Sequence, residues 1–129
     1  MRVKDFMTQN PIVVSPLDNI QNTSEMLIKN EIHQVPVVRN EKLVGIVTDR
    51  DLKIGFSKYA SDPSPDVGSA MSRDPVTVKD DSKIVEAAKI IRKRRFNALP
   101  VVNKKAELVG ILTVRDILDG LINLFEISK

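Results

Sequence analysis

One unit of sequence is written twice in this chain of 129 residues. Val3, Met7, Pro11, Val14, Ile20, Pro36, Val37 and Val38 recur 64 places later as Val67, Met71, Pro75, Val78, Ile84, Pro100, Val101 and Val102. After one inserted residue, Leu43, Val44, Gly45, Ile46, Thr48, Arg50, Asp51 and Gly55 recur as Leu108, Val109, Gly110, Ile111, Thr113, Arg115, Asp116 and Gly120. Matches in that order are the mark of a duplication. The repeats take residues 1–56 and 67–129, and the connector 57–66 carries Pro63-Ser64-Pro65 as an exposed turn. A unit of about 55 residues buries only roughly 60% of its unfolded surface, so each copy is expected to complete the core of the other. The pair uses nearly the whole length, and no additional catalytic or DNA-binding domain is expected.

Each copy reads β-α-β-β-α, a mixed α/β (α+β) pattern. A short extended segment, Ile12 to Val14 or Val76 to Val78, comes first. In the second copy Ile84, Ala87, Ala88 and Ile91 then fall at i, i+3, i+4 and i+7, one apolar helical face. The first copy keeps that face with Leu17, Ile20, Leu27 and Ile28, with Thr23 and Ser24 in the alanine positions, and Ser15-Pro16 reads as N-cap and first turn. Two β-rich runs follow, Gln34 to Val38 and Lys42 to Thr48, separated by hairpin-length Arg39-Asn40-Glu41. A second helix is predicted after Thr48, and its counterpart after Thr113 runs to about Phe125.

Composition removes several classes of function. With no Cys and one His, disulfides, thiolate metal sites and thiol chemistry are excluded, and little remains for a His-centred relay. No apolar run approaches the ~20 residues of a membrane span, and no signal-peptide core follows Met1, so a cytoplasmic protein without membrane attachment is expected. The net charge of +3 is too small to imply nucleic acid by itself. Its excess lies wholly in the second half, centred on Lys89, Arg92, Lys93, Arg94 and Arg95.

Thr48-Asp49-Arg50-Asp51 admits two readings. Thr-x-x-Asp opening a helix is a capping box, in which Thr covers an orphan N–H and the acid suits the positive helix end. The same set follows a Gly-apolar-apolar strand end, where backbone approaches a ligand closely. Free amides and a Thr hydroxyl suit phosphate, and the carboxylate one turn in can accept from two ribose hydroxyls. Both copies hold the set, as Gly45/Thr48/Asp51 and Gly110/Thr113/Asp116.

Those residues, with the entry Asp5-Phe6-Met7-Thr8 and Pro11 (Ser69-Ala70-Met71-Ser72 and Pro75) and the strand Val35-Pro36-Val37-Val38 (Leu99-Pro100-Val101-Val102), resemble the CBS domain, arranged in tandem as a Bateman module. The resemblance covers residues 3 to about 120 and is to stand-alone pairs of the prokaryotic or archaeal type. It implies two repeats packed with pseudo-two-fold symmetry, and a regulatory module binding adenine nucleotides (AMP, ADP, ATP) or relatives such as S-adenosylmethionine or methylthioadenosine in clefts between them. Thr48 and Asp51 would serve one cleft and Thr113 and Asp116 the other, Thr on phosphate and Asp on ribose. The base would lie in an apolar slot of Ile12, Val14, Val35, Pro36 and Val37, or of Val76, Val78, Leu99, Pro100 and Val101. The nucleotide is then a regulatory ligand, and no cofactor is implied.

His33 stands where some relatives place a His against phosphate; it is otherwise a loop histidine, and the second copy has Asn97. If it touches phosphate, binding there weakens as the imidazole loses its proton. Arg50 and Arg115 either reach phosphate or pair with surface acids. The cluster from Lys89 to Arg95 complements a helix C-terminus; a phosphate contact by Arg95 and an acidic or nucleic-acid partner are the other readings. Nucleic acid is disfavoured by the scarcity of aromatic residues for stacking. No base stands beside a nucleophile and no metal-ligand spacing occurs, so no enzyme is expected. The competing class is a ligand-free dimerisation scaffold. The last helix carries two adjacent apolar stripes, Ile117/Leu121/Leu124 and Leu118/Ile122/Phe125, which predicts a homodimer. Any output would pass to a separate effector protein.

Overall fold

The computed structural model describes residues 1–58, 61 and 65–127. The proposed turn at Pro63-Ser64 lies outside the described residues. The described fold is mixed α+β, with four helices, a four-stranded and a three-stranded sheet. Its elements are β1 (Thr8–Gln9), α1 (Ile20–Lys29), β2 (Gln34–Arg39), β3 (Lys42–Thr48), α2 (Asp49–Lys58), β4 (Ser72–Arg73), β5 (Val78–Lys79), α3 (Ile84–Arg94), β6 (Ala98–Val102), β7 (Leu108–Thr113) and α4 (Val114–Ile127).

The chain divides into two compact units: Met1–Pro11 with Val76–Lys129, and Ile12–Pro75. The repeats at 1–56 and 67–129 are units of sequence, and the units that pack are drawn across them. In the first unit β1 pairs antiparallel with β7, Gln9 opposite Gly110; in the second β4 pairs with β3, Arg73 opposite Gly45. Main-chain bonds fix each entry segment. The amides of Val3 and Lys4 donate to the carbonyls of Ser82 and Asp80, as those of Val67 and Gly68 donate to Asp18 and Pro16. Val3 and Val67 are fully buried, worth on the order of 1.5–3 kcal/mol each.

The predicted runs pair as antiparallel hairpins, with Arg39 in the strand rather than in the turn. Gln34 pairs with Thr48 and Arg39 with Lys42, and Asn40 and Glu41 turn the chain at φ 51° and 67°, as a two-residue hairpin with the twist of its strands requires. In the second copy Asn103 organises a longer turn, its Oδ1 accepting from the amides of Lys105 and Glu107.

The helix starts differ from expectation in the first copy. Ser15 does not cap α1: its amide donates to Asp18 Oδ2 in a self-contained turn, and Asn19 is the N-cap, accepting from the Asn22 amide at 3.1 Å. Leu17 therefore precedes the helix and is 77% exposed, and Ile28 is 75% exposed. The buried face is Ile20, Thr23 and Leu27. In α3 the expected face holds, with Ala87 and Ile91 buried and Ile84 packed beside them.

Candidate functional site

Each Thr-x-x-Asp set stands where a central strand runs directly into a helix, β3 into α2 and β7 into α4. In the first copy the Thr48 amide donates to Asp51 Oδ2 and the Asp51 amide to Thr48 Oγ1, both at 3.0 Å. In the second the Thr113 amide donates to Asp116 Oδ2 at 2.9 Å and the Asp116 amide to Thr113 Oγ1 at 3.0 Å. Both are complete reciprocal capping boxes. The following amides are engaged too, Asp49 donating to the His33 carbonyl and Val114 to that of Asn97. The first turn thus offers fewer open amides than the sequence implied.

Acceptor capacity remains on the carboxylates. A carboxylate has about four lone-pair directions, and the cap uses one on each. The copies then diverge. Asp116 Oδ1 also accepts from the Thr8 hydroxyl at 3.0 Å, whereas Ser72, the counterpart of Thr8, makes no such bond to Asp51 among the described residues. Thr8 belongs to the entry motif, but its link to the site is not readable from sequence because it lies 108 positions from Asp116.

The recurrence of Gly45 and Gly110 has a packing cause. A Cβ on Gly45 would stand 2.7 Å from Met71 Sδ and 2.8 Å from the Ser72 carbonyl oxygen; on Gly110 it would meet Met7 Sδ and the Thr8 carbonyl at the same distances. The space left by the missing side chain is taken by the entry segment, where the sequence had suggested a ligand.

His33 has a carboxylate partner, Nδ1 lying 2.9 Å from Asp49 Oδ2 with both side chains exposed. The hydrogen bond from His33 holds the Asp49 carboxyl below the ordinary value of 3.8, against a smaller opposing effect of burial. The pair follows from strand register: Gln34 faces Thr48, so the flanking residues His33 and Asp49 also face each other. Where the second copy has Asn97 it also has Val114, so both partners are replaced. Arg115 Nε lies 3.9 Å from Asp119 Oδ2 in a weak exposed pair, and Arg50 has no ion-pair partner among the described residues. Arg95 ends α3 in the left-handed conformation, φ 57°, with its side chain exposed.

The apolar residues assigned to the base slot mostly face inward. Val14, Val35, Pro36, Val37, Val78, Leu99, Pro100 and Val101 are buried, Val76 is half-buried, and Ile12 is 45% exposed. Val35, Val37, Leu99 and Val101 sit in the two cores, so their side chains are taken up by packing. Among the described residues no group of three or more His, Asp or Glu gathers to hold a metal, and no described helix is long and apolar enough to cross a membrane.

The CBS domain model matches residues 3–56 and again 67–123. The chain belongs to the CBS domain family. It is 37% identical over 139 residues to a CBS domain-containing protein of Dictyostelium discoideum, covering 96% of this chain and 93% of that one. It is 34% identical to the inosine-5'-monophosphate dehydrogenase of Korarchaeum cryptofilum, of which it spans only 23%. Among solved structures it is similar to the CBS-pair protein CBSX2 in complex with AMP, with TM-score 0.85 and 30% identity, covering 95% of this chain and 97% of that one. A CBS domain pair solved with 5'-methylthioadenosine and S-adenosyl-L-methionine gives TM-score 0.76 and 29% identity, over 92% of this CBS pair and 98% of the other.

Proposed function

We propose that this CBS pair is a non-enzymatic sensor that binds an adenosyl compound in the cytoplasm and signals to a separate effector protein. AMP, methylthioadenosine and S-adenosylmethionine, the ligands of the structural neighbours, share adenosine, and only AMP has a phosphate. Besides the adenine base, the polar element common to all three is the ribose diol, which calls for a carboxylate with open acceptor sites. The observation that carries the proposal is that Asp51 and Asp116 stand in the same geometry in both copies, each with acceptor capacity beyond its cap. Thr48 and Thr113 supply the neighbouring hydroxyls. His33, Arg50, Arg95 and Arg115 are the candidate phosphate contacts for a nucleotide.

A second reading, a ligand-free scaffold, is favoured by the completeness of the capping boxes, which give Thr and Asp a sufficient structural role. Asp51→Asn and Asp116→Asn separate the two. The amide oxygen of Asn can still accept from the Thr48 or Thr113 amide, so the cap and the fold are retained. The hydrogen bonds to ribose change from charge-assisted to neutral, a loss of about 1–1.5 kcal/mol, or about tenfold in affinity. Calorimetric titration of each variant with AMP is expected to show that weakening. Unchanged affinity in both would place recognition elsewhere.

We also propose a homodimer formed through α4. Leu118, Leu121, Ile122, Leu124 and Phe125 are all exposed, Phe125 to 66%, while Ile117 packs on its own core. Light scattering at micromolar concentration is expected to give twice 14.4 kDa; a monomer would leave that surface without its partner.

A further inference from the structure

The second compact unit contains a cavity of about 400 Å³ whose lining includes Arg39, Arg73, Asp66, Leu17, Val44 and Met71. Arg39 ends β2 at the hairpin tip opposite Lys42, whereas Gln34 begins it opposite Thr48. The six residues of that strand put about 16 Å between the two ends, so this cavity is separate from the Thr48–Asp51 site. Neither guanidinium has an ion-pair partner among the described residues. The one acid in the lining, Asp66, has Oδ1 engaged, accepting from the Ser69 amide at 3.1 Å and from its hydroxyl at 2.9 Å.

Comparison between the copies shows that this charge does not come with the repeat architecture. The counterpart of Arg39 is Asn103, and that of Arg73 is Gln9, which faces Gly110 as Arg73 faces Gly45. The first unit has a cavity of about 360 Å³ at the corresponding hairpin end, but it is lined by Asp80, Asp81 and Glu107 with Lys104 and Lys105. A lining in which basic residues outnumber acids is thus specific to one copy.

We infer that the Arg39–Arg73 cavity is a second binding site, for a small organic anion bearing a phosphate or carboxylate on an apolar body. Planar guanidinium forks match the paired oxygens of either group. The apolar side chains of Leu17, Val44 and Met71 offer contact to the uncharged remainder. The volume falls within the range of small-molecule sites and exceeds the needs of a lone inorganic ion.

The test is titration of the full chain with phenyl phosphate, benzoate and inorganic phosphate, followed by amide chemical shifts. Saturable shifts at Gly68, Ser69 and Arg73 with phenyl phosphate or benzoate are expected, and the stronger of the two identifies the anionic group. Inorganic phosphate is expected to bind at least fivefold more weakly. Arg39→Asn and Arg73→Gln install residues the other copy carries, and each is expected to weaken binding at least fivefold, while Asp51→Asn leaves it unchanged. Absence of saturable shifts at the cavity, shifts that survive in the double arginine variant, or shifts centred on Thr48 and Asp51 would each overturn the assignment.

Discussion

Replacing Gly110 by alanine tests how the entry segment is held. In a strand, Gly→Ala ordinarily stabilises by about 0.5–1 kcal/mol because glycine loses more backbone entropy on folding. Here the new Cβ would lie 2.7 Å from Met7 Sδ and 2.8 Å from the Thr8 carbonyl oxygen, against ordinary contact at 3.4–4 Å. The thioether can swing aside. The carbonyl cannot, because Thr8 and Gln9 are paired with Ile111 and Gly110, so β1 must shift or lose its pairing. Overpacking of that kind costs about 1–3 kcal/mol; at about 2 kcal/mol it outweighs the entropic gain and leaves a net loss of about 1–1.5 kcal/mol. With a urea dependence of about 2 kcal/mol per molar, the midpoint of unfolding is expected to fall by about 0.5–0.8 M. Gly45→Ala, facing Met71 and the Ser72 carbonyl at the same distances, should behave alike. Adding Met7→Ala to Gly110→Ala removes the sulfur clash only, so it should not restore stability. A midpoint that stays or rises in Gly110→Ala would refute the claim that β1 is packed against this glycine.

Other outcomes follow from backbone and charge. Arg95 at φ 57° and Glu31 at φ 55° occupy left-handed positions after their helices, so Arg95→Gly and Glu31→Gly should each raise the melting temperature by a few degrees, about 1 kcal/mol; a fall would show that the side chain matters more than the strain. The folded-state pKa of Asp49 is lowered by His33, so its stabilisation is present above the ordinary carboxylate value and is lost as pH falls below it. His33→Ala should therefore make stability less sensitive to acid below about pH 4, read as urea midpoints between pH 3 and 5; the pair is exposed, so the effect is small. Equal pH slopes in wild type and variant would remove the coupling.

Much of the fold is legible because its signals are local. Helical periodicity places Ala87 and Ile91 in a core, and strand composition with a short polar turn sets Gln34 opposite Thr48. Crossing of the entry segments is not legible. Val3 and Val67 occupy equivalent positions in two similar copies, so each would suit the core of either, and the choice lies in long-range pairing. Leu17 falls outside the helix because Ser15 to Asp18 closes a turn of its own, which resets the start of α1; Ile28 lies inside α1, off the buried face of Ile20, Thr23 and Leu27. Three pairs of left-handed residues, Asn10/Asp74, Glu31/Arg95 and Glu41/Ala106, recur in the two copies without a glycine to signal them. At the site, Thr-x-x-Asp was readable as both cap and ligand contact, and the cap is what the hydrogen bonds display. Thr8 on Asp116 depends on the crossing segment and was therefore hidden.

The central claim, that both copies keep a carboxylate poised for an adenosyl ligand, is tested most directly by calorimetric titration of the folded wild-type chain with AMP, ADP, ATP, methylthioadenosine and S-adenosylmethionine. Saturable heat with at least one of the five, and none with the matching 2',3'-dideoxy compound, is the predicted result. Flat heats for all five from a folded protein would contradict it and leave Thr48, Asp51, Thr113 and Asp116 as helix caps alone.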